Sequence, residues 1–333
     1  MRNLLDKYGT VLLFDTSVVT ENLGDFIIMD AVRKQLRSMF PDSFFVNTPT
    51  HDVFGPSTKA WASQADYKFV GGTNLLTNRF RGRSSAQWRF GIRDTSIKDI
   101  VGVGLGWQSD IQYDRLIDVP LKRAQSLIYN RSLSKRYLHS VRDSFTQNKL
   151  SKMGIESINT ACVTMWELTP EHLEKIPKYK QDTVVTTITN YWHTSENLTA
   201  YKKLLELLLD NYSHVKLWIQ AKDDLGLFRS LNIQDEDRIE LIPPSLDAYD
   251  AALSEQVDYI GTRLHAGIRA LQHGRRTLIV QLDNRAREIA RDTNLSTMDY
   301  RDLSGLSNFI NTQQPMDIHV PFDQIKLWKS QFI

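Results

Sequence analysis

Short apolar runs alternate with stretches of helical periodicity along most of this chain. In the first half, Thr10 to Asp15, Tyr67 to Val70 and Ile100 to Val103 have the β-branched and apolar composition of buried strands. The segment 16–25 is a predicted loop that leads into a predicted helix over 26–39. Further elements predicted here are helices over 57–65, 114–121 and 135–153 and strands over 125–129 and 157–166.

The second half repeats this alternation. Its predicted strands cover 182–189, 215–221, 239–242, 258–261 and 277–281, and its predicted helices cover 199–212 and 265–273, with one more after Pro243-Pro244. Strands separated by helices build parallel sheets from βαβ units. The pattern therefore predicts an α/β protein whose two halves share one architecture.

The length of 333 residues favours two domains, because one domain typically has about 100–200 residues. We place the first domain at 1–170 and the second at 181–319, with Pro170 to Lys180 as the linker. The tail 320–333 carries regularly spaced apolar residues and predicts a terminal helix that can pack back onto the first domain.

The charge balance excludes one class of function. The chain has 41 Lys and Arg against 39 Asp and Glu, a formal net charge of +2, which is too small for a nucleic-acid-binding protein held by phosphate contacts. Cys162 is the single cysteine, as expected in a reducing compartment. The sequence shows no signal-peptide pattern and no apolar stretch of membrane-spanning length, so we expect a cytoplasmic protein.

Two loops that follow predicted strands have the composition of anion-binding sites. Asn22 and Gly24 precede a helix start, where unpaired N–H groups favour an anion; alternatively, Asp25 only caps that helix. Gly71-Gly72-Thr73 places permissive glycines at the carboxyl edge of the sheet, where open α/β folds bind ligands, or forms a simple turn. The glycines at 102, 104 and 106 do not match the dinucleotide fingerprint, so no NAD site is predicted.

Arg263 and His265 lie directly after a predicted strand and open a helix. An arginine fork binds carboxylate or phosphate through two hydrogen bonds, and an imidazole transfers protons near neutral pH. The alternative is that both side chains are structural.

Two further arginines have comparable alternatives. Arg142 faces the cleft or pairs with Asp143, and Arg285 lies in another carboxyl-edge loop or in a solvated charge run. Metal sites are not predicted, because the histidines and Cys162 lack zinc-ligand spacing and the acidic stretch 235–237 precedes a strand.

Taken in order, Asn22-x-Gly24-Asp25, Gly71-Gly72, Gly102-Val103-Gly104, Ser140-Val141-Arg142-Asp143 and Arg263-Leu264-His265-Ala266 resemble the polysaccharide pyruvyl transferase family. The resemblance implies a fold similar to glycosyltransferase class B (GT-B), with two Rossmann-like domains facing a cleft. It also implies phosphoenolpyruvate as the donor, with no further cofactor. The acceptor is a sugar in a surface polysaccharide such as a capsule or exopolysaccharide, or in its lipid-linked precursor, and the product is a pyruvate ketal.

By the same resemblance, Arg263 binds the donor and His265 lies at the reacting centre. Where the family often has a lysine, this chain has Arg285 and Arg287, which leaves an anion contact there open. Two other functions compete: a nucleotide-sugar-dependent GT-B glycosyltransferase, and a non-catalytic binding protein of a glycan-assembly complex. The basic stretches Arg79 to Arg83 and Lys122-Arg123 favour peripheral association with an anionic membrane surface.

Overall fold

A computed structural model of the chain describes residues 8–77, 87–108, 119–190 and 194–332, which form two compact units. Unit 1 comprises the described residues of Met1–Thr20, Ile28–Trp166 and Pro321–Ile333. Unit 2 comprises the described residues of Glu21–Ile27 and Glu167–Val320. The basic stretch 79–83 and most of the helix predicted over 114–121 lie outside the described residues.

Helices and strands alternate along most of the chain. In chain order they are β1 (Thr10–Asp15), α1 (Leu23–Met39), β2 (Phe44–Pro49), α2 (Pro56–Gln64), β3 (Tyr67–Gly71), β4 (Ile100–Val103), α3 (Val119–Ser132), β5 (His139–Val141), α4 (Ser144–Ser151), β6 (Ser157–Asn159), α5 (Pro170–Leu173), β7 (Thr183–Thr186), α6 (Ser195–Asn211), β8 (His214–Trp218), α7 (Asp224–Ser230), β9 (Ile239–Ile242), α8 (Leu246–Ser254), β10 (Val257–Gly261), α9 (Leu264–Gln272), β11 (Thr277–Gln281), α10 (Asn284–Thr293), β12 (Thr297–Asp299), α11 (Leu306–Asn311) and α12 (Phe322–Ser330).

The sheet of unit 1 is parallel and has the strand order β2-β1-β3-β4. A second parallel pair, β5-β6, adjoins it through a bridge between Leu105 and Val141. Four successive residues of β1, Val11 to Phe14, are fully buried at the centre of this sheet. The order reverses between β1 and β3, which is the topological switch point of a doubly wound sheet.

The sheet of unit 2 contains six parallel strands in the order β12-β11-β10-β7-β8-β9. If β7 is counted as strand 1 and the sheet is read from β9, this is the Rossmann order 3-2-1-4-5-6. The switch point lies between β7 and β10. Helix α6 covers one face, where Tyr201, Leu204, Leu205 and Leu208 are buried. The prediction of an α/β fold with parallel sheets is therefore confirmed.

Helix α12 packs within unit 1. The Trp328 side chain is fully buried, and its Nε1 donates a hydrogen bond to the Leu138 carbonyl at 2.9 Å. The Gln331 side chain accepts a hydrogen bond from the Leu138 N–H at 2.8 Å and donates one to the Leu138 carbonyl at 3.1 Å. The Phe332 ring lies 5.3 Å from that of Phe69 in β3. The end of the chain thus belongs to the core of unit 1.

Three predictions for the first half are wrong. The segment 125–129 was predicted to be a strand but lies in α3, because its buried positions Gln125, Ile128 and Tyr129 have helical spacing. The helix predicted over 135–153 is strand β5 followed by α4, which starts where Asp143 accepts a hydrogen bond from the Thr146 N–H at 2.7 Å. The strand predicted over 157–166 ends at Asn159.

Apart from the helix over 114–121, the other predicted helix and strand bounds differ from the structure by at most four residues, as at α6, which begins at Ser195 and not at residue 199. Strands β1, β4, β9 and β11 have the predicted bounds, whereas α1 begins at Leu23 rather than Phe26. None of the described helices is long and apolar enough to cross a membrane.

The fold leaves no room for a side chain at Gly72. A Cβ atom there would lie 2.0 Å from the Gly104 carbonyl oxygen, where the main chains after β3 and β4 meet. We expect Gly72→Ala to lower the free energy of unfolding by about 3 kcal/mol, measured as a lower midpoint of thermal unfolding. Gly226→Ala is the matched control, because its Cβ meets no atom within 4 Å. An unchanged midpoint for Gly72→Ala would contradict this close approach.

His139 makes the stability of unit 1 depend on pH. Burial lowers its pKa from 6.5 to about 4, against the opposing hydrogen bond to the Ser134 carbonyl. The Gly102 N–H donates to Nδ1 at 3.0 Å, so the folded ring accepts there and is neutral. Below pH 6.5 the unfolded chain binds a proton that the folded protein excludes until about pH 4.

We therefore expect the free energy of unfolding to fall as the pH drops from 6.5 to 4, by on the order of 3 kcal/mol from this residue. Denaturant titrations at several pH values measure how steeply the free energy of unfolding depends on pH. His139→Gln should lack this contribution, whereas the same change at exposed His214 should retain it. Equal slopes for wild type and His139→Gln would refute the assignment.

Candidate functional site

The switch point of the unit 2 sheet brings two polar loops together. Strands β7 and β10 are neighbours, and their carboxyl ends lead into Thr187–Asn190 and Thr262–His265. In open α/β sheets, the crevice outside the carboxyl ends at this point is the usual ligand site. Arg263 and His265 therefore occupy the position at which the fold favours a ligand.

The side-chain hydroxyls of Thr187 and Tyr259 hold the Arg263 main chain beside the end of β7. The Arg263 N–H donates to Thr187 Oγ1 at 3.1 Å, and the buried Tyr259 hydroxyl donates to the Arg263 carbonyl at 2.9 Å. Thr187 Oγ1 and the Tyr259 hydroxyl are 2.7 Å apart. A Cβ atom at Gly261 would lie 2.6 Å from the Thr187 nitrogen, so glycine permits this approach. The loop after β10 is thereby fixed on its neighbouring strand.

Arg263 is 4% exposed, and its side chain is held at two of its nitrogens. Its Nη2 lies 2.5 Å from Asp224 Oδ1, and its Nε donates to the Ile188 carbonyl at 3.3 Å. Asp224 is fully buried at the start of α7. Burial raises the pKa of the Asp224 carboxyl above its usual range, whereas the Arg263 guanidinium opposes that rise. The site thus contains a buried arginine with a buried counterion.

His265 lies in the first turn of α9 and is 6% exposed. The N-cap residue of this helix is Arg263, which makes no side-chain cap hydrogen bond. The helix dipole and the first N–H groups at such a helix start attract negative charge. His265 therefore lies at a helix end that favours an anionic ligand.

Asn22 and Gly24 join the same sheet edge of unit 2. Gln220, two residues beyond β8, donates from Nε2 to Asn22 Oδ1 at 2.9 Å, and its carbonyl accepts from the Leu23 N–H at 3.1 Å. A Cβ atom at Gly24 would lie 2.9 Å from Gln220 Nε2, so the glycine allows this contact. Asn22 also accepts from the Gly24 N–H at 3.1 Å, as an N-cap side chain does. Asp25 lies in the first turn of the helix and is buried.

Arg285 follows β11 on the same edge and folds back onto its own helix cap. Its Nε and Nη2 lie 2.8 Å and 2.6 Å from Asp283 Oδ2. Asp283 caps α10 by accepting from the Arg285 N–H at 2.9 Å. These contacts give Arg285 a local structural role, and its predicted role in binding stays a prediction.

The four remaining predicted residues lie in unit 1. Arg142 follows β5, is 1% exposed, and contacts Asp143 at 3.1 Å and the Asn74 side chain. Gly106 leaves the space for its guanidinium, because a Cβ there would lie 2.3 Å from Arg142 Cζ. The structure therefore places Arg142 beside the loop after β3. The other predicted members of this group, Gly71, Gly72 and Thr73, are all buried.

Gly71 has a packing role as well, since a Cβ there would lie 2.5 Å from Met29 Sδ. Gln220 and Asp224 were not predicted from the sequence, and they connect Asn22 to Arg263 through the loop after β8. Their position in the chain could have identified them, because both residues follow β8, which is next to β7, at the same carboxyl edge of the sheet. Among the described residues, groups of three or more histidine, cysteine or acidic side chains that could hold a metal are absent.

Comparisons with known proteins agree with this architecture. The model of the family described as polysaccharide pyruvyl transferase matches residues 22–284. A structure titled "S. aureus MnaA-UDP co-structure" has 14% identity and a TM-score of 0.53, with 96% of this chain and 94% of that chain covered. UDP-GlcNAc 2-epimerase from Neisseria meningitidis, bound to UDP-GlcNAc, has 12% identity and a TM-score of 0.52, with 96% and 97% covered. A search of curated proteins found no significant match.

At these identities, the two solved structures show the fold alone. They confirm the predicted GT-B-like class, with its parallel Rossmann-like sheets. The family match includes every predicted site residue except Arg285, which lies one position beyond its end.

Proposed function

This chain belongs to the polysaccharide pyruvyl transferase family, and on that premise we propose that it transfers the enolpyruvyl unit of phosphoenolpyruvate to a sugar. The acceptor belongs to a surface polysaccharide or to its lipid-linked precursor. The product is a pyruvate ketal, and inorganic phosphate is released.

One observation supports this proposal above the others: Arg263 and His265 lie together at the switch point of the unit 2 sheet. Phosphoenolpyruvate carries a carboxylate and a phosphate, and a guanidinium beside a helix N-terminus suits both groups. Asn22 and Gly24 lie on the same sheet edge, two strands from Arg263, and are proposed to line the donor site.

The proposed reaction assigns a role to each residue type. Protonation of the donor's methylene carbon creates an oxocarbenium-like centre at its neighbour, which one sugar hydroxyl attacks as it loses its proton. The bond to the phosphate oxygen then breaks, and a second hydroxyl attacks the same carbon, loses its proton and closes the ketal. His265 is proposed to donate or relay a proton, while Arg263 stabilises the anionic groups.

The other predicted residues keep their proposed roles in binding. Arg142 is proposed to contact substrate from the loop after β5, together with Gly71, Gly72 and Thr73. Arg285 and Asp25 are proposed as further contacts at the unit 2 edge. No cofactor beyond the donor substrate is proposed.

The donor can be tested without knowledge of the acceptor. At about 100 times its dissociation constant, phosphoenolpyruvate should stabilise the protein by about 2.7 kcal/mol, seen as a higher midpoint of thermal unfolding. Arg263→Lys keeps a cation beside Asp224 but loses the fork, so we expect it to reduce this shift strongly. Arg238→Lys, at the amino edge of the same sheet, is the control and should keep the full shift.

The same measurement with UDP- and GDP-sugars tests the competing function. A shift with one of them and none with phosphoenolpyruvate would replace this proposal with a nucleotide-sugar glycosyltransferase. Absence of any shift would favour the non-catalytic function.

His265 should affect turnover more than donor binding. We expect His265→Gln to retain the midpoint shift with phosphoenolpyruvate but to release phosphate roughly 100-fold to 10,000-fold more slowly, because it cannot transfer a proton. Phosphate release is measured with hexose and N-acetylhexosamine glycosides as acceptors. His214→Gln, at an exposed histidine, is the control. Wild-type turnover by His265→Gln would exclude the proton-transfer role.

A further inference from the structure

Asp224 connects the loops that follow three adjacent strands. Its Oδ1 accepts hydrogen bonds from Arg263 Nη2 at 2.5 Å and from the Asn190 N–H at 3.3 Å, and its Oδ2 accepts from the Ala221 N–H at 2.9 Å. These donors follow β10, β7 and β8, which lie side by side in the sheet. The carboxylate therefore fixes the geometry of the carboxyl edge around the switch point.

An asparagine cannot replace this carboxylate. Both oxygens of Asp224 face donors, so an amide would direct its own NH₂ group at an N–H or a guanidinium in either orientation. Loss of the charge would also leave Arg263 buried without this counterion. The arrangement requires an ionised aspartate.

A second buried pair of the same type lies at the other edge of the sheet. Asp258, near the start of β10, contacts Arg276 at 2.9 Å, and both side chains are almost fully buried. Arg276 also donates to the carbonyls of Ile310 and Thr312, at the end of α11. This pair binds structural elements to one another at the amino edge, whereas the Asp224 pair lies at the edge where ligands bind.

We propose that Asp224 is a positioning residue, which fixes the Arg263 guanidinium so that it can bind the carboxylate or phosphate of the donor. This inference rests on the function proposed above. Asp224 acts through Arg263 and is not placed in contact with substrate. The two-point attachment of the guanidinium, to Asp224 and to the Ile188 carbonyl, fixes both its position and its plane.

Calorimetric titration with phosphoenolpyruvate distinguishes a positioning role of Asp224 from a role in the stability of the fold alone. We expect Asp224→Asn to raise the dissociation constant at least about tenfold, with the number of binding sites per folded chain unchanged. Asp258→Asn is the matched control: it weakens the fold but should leave the dissociation constant at the wild-type value. A wild-type dissociation constant for Asp224→Asn, or the same rise in both variants, would overturn the proposal.

A second measurement needs no ligand. The Nε–Hε signal of Arg263, assigned with Arg263→Lys, should be rigid in the wild-type protein by nitrogen-15 relaxation and should become mobile in Asp224→Asn. A mobile Arg263 in the wild type, or an equally rigid one in the variant, would overturn the proposal even if the protein does not bind phosphoenolpyruvate. If Arg263 is rigid only in the wild type and the donor does not bind, the proposed function fails while the positioning role stands. If Asp224→Asn does not fold, a mobile Arg263 in the wild type would still overturn the proposal.

Discussion

The buried ion pair between Arg263 and Asp224 is the interaction on which the carboxyl edge of unit 2 depends. Arg263 is buried, and a buried guanidinium is stable only if its charge and its donors are matched. Asp224 supplies the charge, and Ile188 supplies a carbonyl acceptor. The loops after β7, β8 and β10 meet at this carboxylate, so the position of each depends on the others.

In both units, glycines allow the loops that follow neighbouring strands to approach each other closely. At Gly261 a Cβ would lie 2.6 Å from the Thr187 nitrogen, and at Gly72 it would lie 2.0 Å from the Gly104 oxygen. Ligand-binding edges of doubly wound sheets are also the places where loops from neighbouring strands approach most closely. A glycine after a strand in such a fold is therefore explained by loop packing before any contact with a ligand is invoked.

The sequence predicted the strands well where apolar runs were bounded by glycine or polar residues, as in β1, β4 and β11. It failed where a short apolar run had two interpretations: around Ile128, only the buried positions themselves reveal helical spacing. The edge strand β2 was missed, because just one of its six residues is buried. The site was predicted in part, since Arg263 follows a strand, but its partner Asp224 is 39 positions away and no local pattern pairs them.

Two buried aspartate–arginine pairs in one sheet show why burial alone does not identify a functional charge. The pair at the amino edge connects β10 to the carbonyls at the end of α11. The pair at the carboxyl edge lies beside the start of α9, whose helix dipole adds positive potential. A guanidinium next to a helix N-terminus is a combination that a bound anion would stabilise further. The two pairs are therefore alike in burial and charge, and their positions on the sheet are what distinguishes them.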